Sequence, residues 1–319
     1  MVPSIEPCPY LVGQLGFTVG QTVIRDYKTH NPNKAPENGG SKSYRNWRAF
    51  LESSQGQSMF SPVIAKLGDS QIDLGTINGL PVTADIIVVD GATPANPDGC
   101  DPATYFGGEQ YPLRGDRSRD AVPPSENDMS VGFILSFEKF QLFVGGDLSG
   151  ENYDSKWGYR YHDTETCLAQ DNIVKQRYGG HLEVLRASHH GSRHSTNQAF
   201  VNMFSPTVTI FSVGDHNNFG HVDPAVLDRV LAESIGKNDG AVMLTEVGAD
   251  IVDPTDLCHT SNTLLCADVA DGEFPLELES DEEGDAGVKV LVDSSGNSYQ
   301  VQVSGNSLEY EAHAINMER

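Results

Sequence analysis

Three times between residues 140 and 224 a short apolar run empties into a loop that carries aspartate or histidine. The runs are Phe140–Val144, Leu182–Ala187 and Thr207–Val213. The loops that follow are Gly145-Gly-Asp147-Leu, then Ser188-His189-His190-Gly191-Ser192-Arg193-His194-Ser195-Thr196, then Ser212-Val-Gly-Asp-His216-Asn-Asn-Phe-Gly-His221-Val-Asp-Pro224. Segments with helical spacing stand between and after them. Asn197–Phe204 is one. Pro224–Ser234 is the other, with Val226, Leu227, Val230 and Leu231 on one face, Asp223 as N-cap and Pro224 at the first helical position. Strands that alternate with helices predict a layered α/β domain. In such a domain the carboxyl ends of the strands share an edge, so Asp147, His189, His190 and His221 are expected to converge there.

The rest of the chain is read on the same signals. Ser43–Glu52 places Tyr44, Trp47 and Leu51 at i, i+3 and i+7, a short amphipathic helix with Ser43 as its N-cap. Pro62–Lys66 and Gln71–Leu74 flank the turn Gly68-Asp69 as strands, and Ala84–Val89 is a strand that ends at Asp90-Gly91. Residues 92–125, rich in Pro, Gly and Asp, read as an irregular insertion. Ser130–Phe137 pairs with Phe140–Val144 around Glu138-Lys139, and Ala241–Thr245 is a closing strand. Beyond residue 250 the character changes. Glu277–Asp285 is an acidic, solvated run, and Val288–Val292, Tyr299–Val303 and Leu308–Tyr310 predict short antiparallel strands. The expected organisation is an α/β domain over 1–250 and a small β-rich appendage over 251–319.

Charge bounds the partners. Forty-five acidic residues against 21 basic leave a net charge of −24, which argues against non-specific nucleic-acid binding. A bound dication can still recruit a single phosphate group, because it dominates its own surroundings. No run approaches the roughly 20 apolar residues that span a bilayer, so no membrane partner is expected. Met1–Gly13 has neither the basic nor the long apolar stretch of a signal peptide. Compartment and oligomeric state stay open. Among Cys8, Cys100, Cys167, Cys258 and Cys266 there is no C-x-x-C pair, and Cys258 and Cys266 are close enough to close a small disulfide loop.

The residue types suggest metal chemistry. Asp147, released from its strand by two glycines, is placed to bridge metals or orient a water. Adjacent histidines at a strand end point to different sides, so one can ligate while its neighbour contacts substrate. His221, just ahead of a helix start, can complete a metal shell. Mixed carboxylate and imidazole donors suit zinc, with manganese or iron as alternatives. His194 and His216 read as ordinary loop residues. Gly-Gly-Asp147 alone is better explained as a plain turn; the shared edge of the three loops is what argues for a site.

The order and wording of these segments carry a resemblance. Asn127-Asp-Met-Ser130-Val, Gly-Gly-Asp147-Leu, Leu185-Arg-Ala-Ser-His-His-Gly-Ser192, Phe211-Ser-Val-Gly214 and Asn217-Asn-Phe-Gly-His221 together resemble metallo-β-lactamase-fold hydrolases of the competence-type DNA-uptake group, over residues 43–248. The resemblance implies a metallo-β-lactamase-like αββα sandwich. It also implies two zinc ions bridged by Asp147, with His189, His190 and His221 as ligands or substrate contacts, and His190 and Ser192 at catalytic positions. The substrate it implies is a small molecule or phosphoester, hydrolysed through a metal-bound hydroxide. The family's His-x-His-x-Asp-His motif has no counterpart here, and its Gly-His-Pro is interrupted as Gly220-His221-Val-Asp-Pro224. The fold is therefore expected to be incomplete at its amino-terminal side, as in a truncated chain, with a site for one ion or none and weak hydrolysis. The alternative is a non-catalytic binding or scaffold module of the same fold. Hydrolysis of β-lactams fits less well, because His-His-Gly-Ser belongs to other branches of the fold.

Overall fold

The computed structural model describes residues 22–26, 42–100, 127–151, 153–154, 159–160, 162–214, 219–245, 264–266, 288–303 and 306–313. Two small pairings come first: β1 (Thr22–Ile24) runs parallel to β2 (Pro62–Ile64), and β3 (Thr76–Ile77) forms a hairpin with β4 (Leu80–Pro81). Between β1 and β2 lie α1 (Lys42–Glu52) and α2 (Ser54–Phe60). Gln71–Leu74, expected as a strand, is not one; the chain pairs later, across Asn78-Gly79, where both residues take positive φ. Asn-Gly is the preferred two-residue hairpin turn, and it outweighs the weak apolar alternation just before it.

The centre of the molecule is a seven-stranded mixed sheet. Its strands are β5 (Thr83–Val88), β6 (Gly132–Phe137), β7 (Phe140–Val144), β10 (Leu182–Arg186), β11 (Pro206–Phe211), β12 (Ala241–Leu244) and β13 (Leu264–Cys266), in the order β13-β12-β11-β10-β7-β6-β5. A separate short hairpin, β8 (Tyr153–Asp154) and β9 (Tyr159–Arg160), lies between β7 and β10 in sequence. The tight turn at Glu138-Lys139 forces β6 and β7 antiparallel. From β7 to β13 every pairing is parallel, as the longer connections between those strands allow. Ala241–Leu244 therefore does not close the sheet; β13 pairs outside it.

Helices cover one face. They are α3 (Thr164–Gln170), α4 (Asn172–Tyr178), α5 (Gln198–Phe204) and α6 (Pro224–Val230), the last running on into a single π turn over Leu231–Ile235. Each opens on a side-chain cap, from Asp163, Asp171, Asn197 and Asp223 respectively. Leu168, Val174, Phe200 and Phe204 pack with Ile134, Phe143 and Leu185 of the sheet. Val226 and Val230 pack with Phe211 and Val242. A disulfide between Cys100 and Cys167 ties the loop beyond β5 to α3. Cys258, close enough in sequence to Cys266 to close a small disulfide loop, lies outside the described residues, as do His216 and the acidic run 277–285.

The opposite face carries Val184, Val208, Ile210, Ala241 and Met243. A three-stranded antiparallel sheet, β14 (Val288–Val292), β15 (Ser298–Val303) and β16 (Asn306–Glu311), lies over it. Its buried Tyr299 and Val301, together with Ala312, join that cluster. The strands expected at 288–310 are thus present, and their apolar side shares a core with the α/β block. The described layers are helices, a mixed sheet and a second sheet packed face to face. No helix among the described residues is long and apolar enough to cross a membrane.

Candidate functional site

Because β7, β10 and β11 are parallel, the loops that follow them open at one edge. The first loop turns at Gly146, whose φ of 63° few side chains tolerate. The Gly146 carbonyl accepts from Arg186 Nη1 at 2.8 Å and from the His189 N–H at 3.0 Å. The Asp147 N–H donates to Ser130 Oγ at 3.1 Å, and that hydroxyl donates to the Asn127 carbonyl at 2.7 Å. Asp147 is thereby pinned to β10 on one side and to the approach of β6 on the other. It is 8% exposed.

The second loop is more constrained. His189 and His190 both sit in the left-handed region, at φ 49° and 56°, and Gly191 follows at 76°. Two consecutive non-glycine residues there are uncommon and persist only when their surroundings hold them. A Cβ on Gly191 would lie 2.7 Å from the Phe211 ring and 2.7 Å from Val222, so only glycine fits. Glu165, fully buried on α3, accepts from the Thr196 N–H and the Asn197 N–H, each at 2.7 Å. Arg229 Nη1 donates to the Thr196 carbonyl at 2.8 Å. Together these groups hold the far end of the loop.

The geometry gives the two histidines different roles. His190 Nδ1 bonds the Ser212 carbonyl. A carbonyl only accepts, so Nδ1 carries the proton and Nε2 presents a lone pair. That Nε2 lies 3.5 Å from Asp147 Oδ1, a separation at which both could bind one cation. His189 turns elsewhere: its Nε2 is 3.3 Å from Asn127 Nδ2, and its buried Nδ1 has no hydrogen-bond partner. Burial, with the neighbouring His221 ring, pushes His189 down to about 3. Burial and the nearby His190 lower His221 to about 4, so both rings are neutral near pH 7. The His221 ring lies parallel to that of His190 with centroids 6.4 Å apart, and 5.6 Å from that of His189. Phe219, well exposed, stacks on His221 at 5.9 Å.

The four expected ligand positions are thus gathered, with Asp147 and His190 at ligand spacing. Ser192, expected at a catalytic position, is buried in the turn. Its N–H donates to the His189 carbonyl at 2.9 Å, and its carbonyl accepts from Ser195 Oγ at 2.9 Å. His194 Nδ1 lies 3.1 Å from Glu151 Oε2. Among the described residues one set of three ligand-type side chains brings its donor atoms within 4.8 Å of one another, and it lies elsewhere, at His181, Glu183 and His313.

Several supporting residues carried no role in the sequence. Asn127 and Ser130 stood inside the matched wording, so a signal existed. Arg186 and the buried Asp128, whose Oδ1 accepts from the His162 N–H at 3.3 Å, stood there too; Glu165 had no signal. No protein-family model matches the chain, and no curated protein matches it.

Proposed function

We propose that the chain is a metal-dependent hydrolase on a metallo-β-lactamase-like sandwich, acting on phosphodiester or related ester bonds. One observation carries this reading: a histidine held in its ligand tautomer by the Ser212 carbonyl, its free nitrogen 3.5 Å from a nearly buried carboxylate. A carbonyl behind the imidazole is the usual support of a metal-bound histidine. The helix, sheet and sheet layers supply three of the four layers of an αββα sandwich, which supports the fold half of the proposal.

The donors fit an ion of the zinc class, with manganese or iron as alternatives. Asp147 Oδ1 and His190 Nε2 would hold it, with His221 alongside. Such an ion supplies acidified water and Lewis-acid polarisation of an ester oxygen. The protein's own groups do the rest. The Asn127 amide donates to His189 Nε2, which fixes that ring in the tautomer with its proton on the buried Nδ1. Phe219 and His221 offer a stacked wall beside it. Arg186, near Asp147 and fixed to the Gly146 carbonyl, keeps a positive charge behind the carboxylate.

A non-catalytic module of the same fold is the second reading. It is favoured by the fact that the described residues of this edge do not gather three donors within 4.8 Å. The two separate on turnover of bis(p-nitrophenyl) phosphate with added zinc or manganese. The proposal expects slow, metal-dependent hydrolysis that falls at least about tenfold in Asp147→Ala and in His190→Ala. Absence of turnover from folded protein, with either metal, would establish the binding module instead.

A further inference from the structure

The opposite edge of the same sheet holds a second constellation. His181 precedes β10 at its amino end, Glu183 is the second residue of that strand, and His313 follows β16. We propose that His181, Glu183 and His313 form a second divalent-metal site, of the zinc class, which clamps the carboxy-terminal strands to the central sheet.

The donor set is two imidazoles and one carboxylate, the mixture that zinc takes in sites that leave one position for water. The His181 Nε2 and Glu183 Oε1 atoms are 3.5 Å apart. Zinc bonds of about 2.0–2.1 Å at tetrahedral angles set neighbouring donors about 3.4 Å apart, so this pair already stands at ligand spacing. All three donors lie within 4.8 Å of one another, a separation that small side-chain rotations close. The His181 and His313 rings meet at 60° with centroids 4.3 Å apart, and Glu183 lies at the same junction.

The carboxylate is oriented before any ion arrives. Glu183 is 1% exposed, and its Oε1 accepts from the His313 N–H at 2.9 Å while Oε2 accepts from the Gln141 N–H at 2.9 Å. Each oxygen keeps a second lone pair, and buried backbone donors behind a ligating carboxylate are a common supporting arrangement. His313 is exposed, which opens the site to entering ions, and the chain's charge of −24 concentrates cations near it. Without an ion, His181 Nε2 has a simpler use, because Thr207 Oγ1 stands 3.2 Å away. A site and a plain hydrogen-bonded cluster therefore make different predictions for added zinc.

The test uses the full chain carrying Asp147→Ala and His190→Ala, which removes the ligands of the other edge. Stripped with chelator and returned to excess zinc, this variant is expected to keep one zinc per chain through gel filtration. Adding His313→Ala, an exposed change that leaves the backbone N–H in place, should abolish that zinc and the visible bands of a cobalt-substituted sample. Zinc should raise the melting temperature of the first variant and not of the second, while the two metal-free melting temperatures agree. The proposal is overturned if the first variant holds no zinc after gel filtration, or if zinc content is the same with and without His313. Neither result bears on the Asp147 edge, whose ligands are absent from both proteins.

Discussion

Tyr299→Ala tests whether the carboxy-terminal strands belong to the core. Tyr299 is 2% exposed and lies between the two sheets, edge-on to Phe140 at 5.3 Å and stacked on Tyr310 at 5.4 Å. Its hydroxyl donates to the Glu183 carbonyl at 3.2 Å. Truncating a buried aromatic costs about 3–5 kcal/mol, and the lost hydrogen bond adds about 1 kcal/mol. A total of about 4–6 kcal/mol is a large share of the 5–15 kcal/mol that holds a typical domain together. Tyr299→Phe, which keeps the ring, should cost only about 1 kcal/mol. Urea unfolding gives the totals, and amide hydrogen exchange gives their location. In Tyr299→Ala, protection should fall at Val184, Val208 and Ile210 on the central sheet as well as along β14–β16. Exchange that quickens only in β14–β16, with the central strands as protected as before, would refute the shared core.

Two further outcomes follow. Burial raises Glu165 from 4.5 to about 7, against hydrogen bonds from Asn197 and Thr196 and with a smaller push from Asp163. The fold thus favours the protonated carboxyl. The stability this contributes is whole below about pH 4.5 and is lost as pH rises through 7, on the order of 3 kcal/mol. Glu183, raised by burial to about 7, adds a slope of the same sign. His181, His189 and His221, each lowered by burial, slope the other way. Glu165→Gln, which cannot ionise, should therefore raise stability at pH 8 relative to pH 5 by about 2–3 kcal/mol over the parent in urea unfolding; an unchanged difference contradicts the assignment. Gly191→Ala places a methyl 2.7 Å from Phe211 and Val222 at a φ of 76°, so a loss of about 2 kcal/mol or more is expected in thermal unfolding, together with weaker metal binding. Stability within about 0.5 kcal/mol of the parent would show that the loop is not held as described.

How much was legible depended on whether the cause was local. The strand-to-loop transitions at Asp147, His189 and His221 are local, and parallel pairing of β7, β10 and β11 carries them to one edge. Alternating Val288, Val290 and Val292 announce a strand with one apolar face, but alternation does not say what that face covers. The packing of Tyr299 and Val301 on Val208 and Met243 was invisible for that reason. α3 and α4 escaped because neither shows an apolar stripe: α3 buries Thr164 and Glu165 beside Leu168 and Ala169, and α4 buries only Val174 and Tyr178 while Ile173 stays exposed. His181, Glu183 and His313 meet across 130 residues of chain, where no spacing rule applies.

Metal binding at the edge bearing Asp147 and His190 underlies the proposed hydrolysis. It is tested most simply by zinc, manganese and iron per chain from mass spectrometry, in the His313→Ala chain with and without Asp147→Ala. About one zinc-class ion is expected in the first protein and none in the second, both folded. Equal metal content in the two, or none in either, would contradict it.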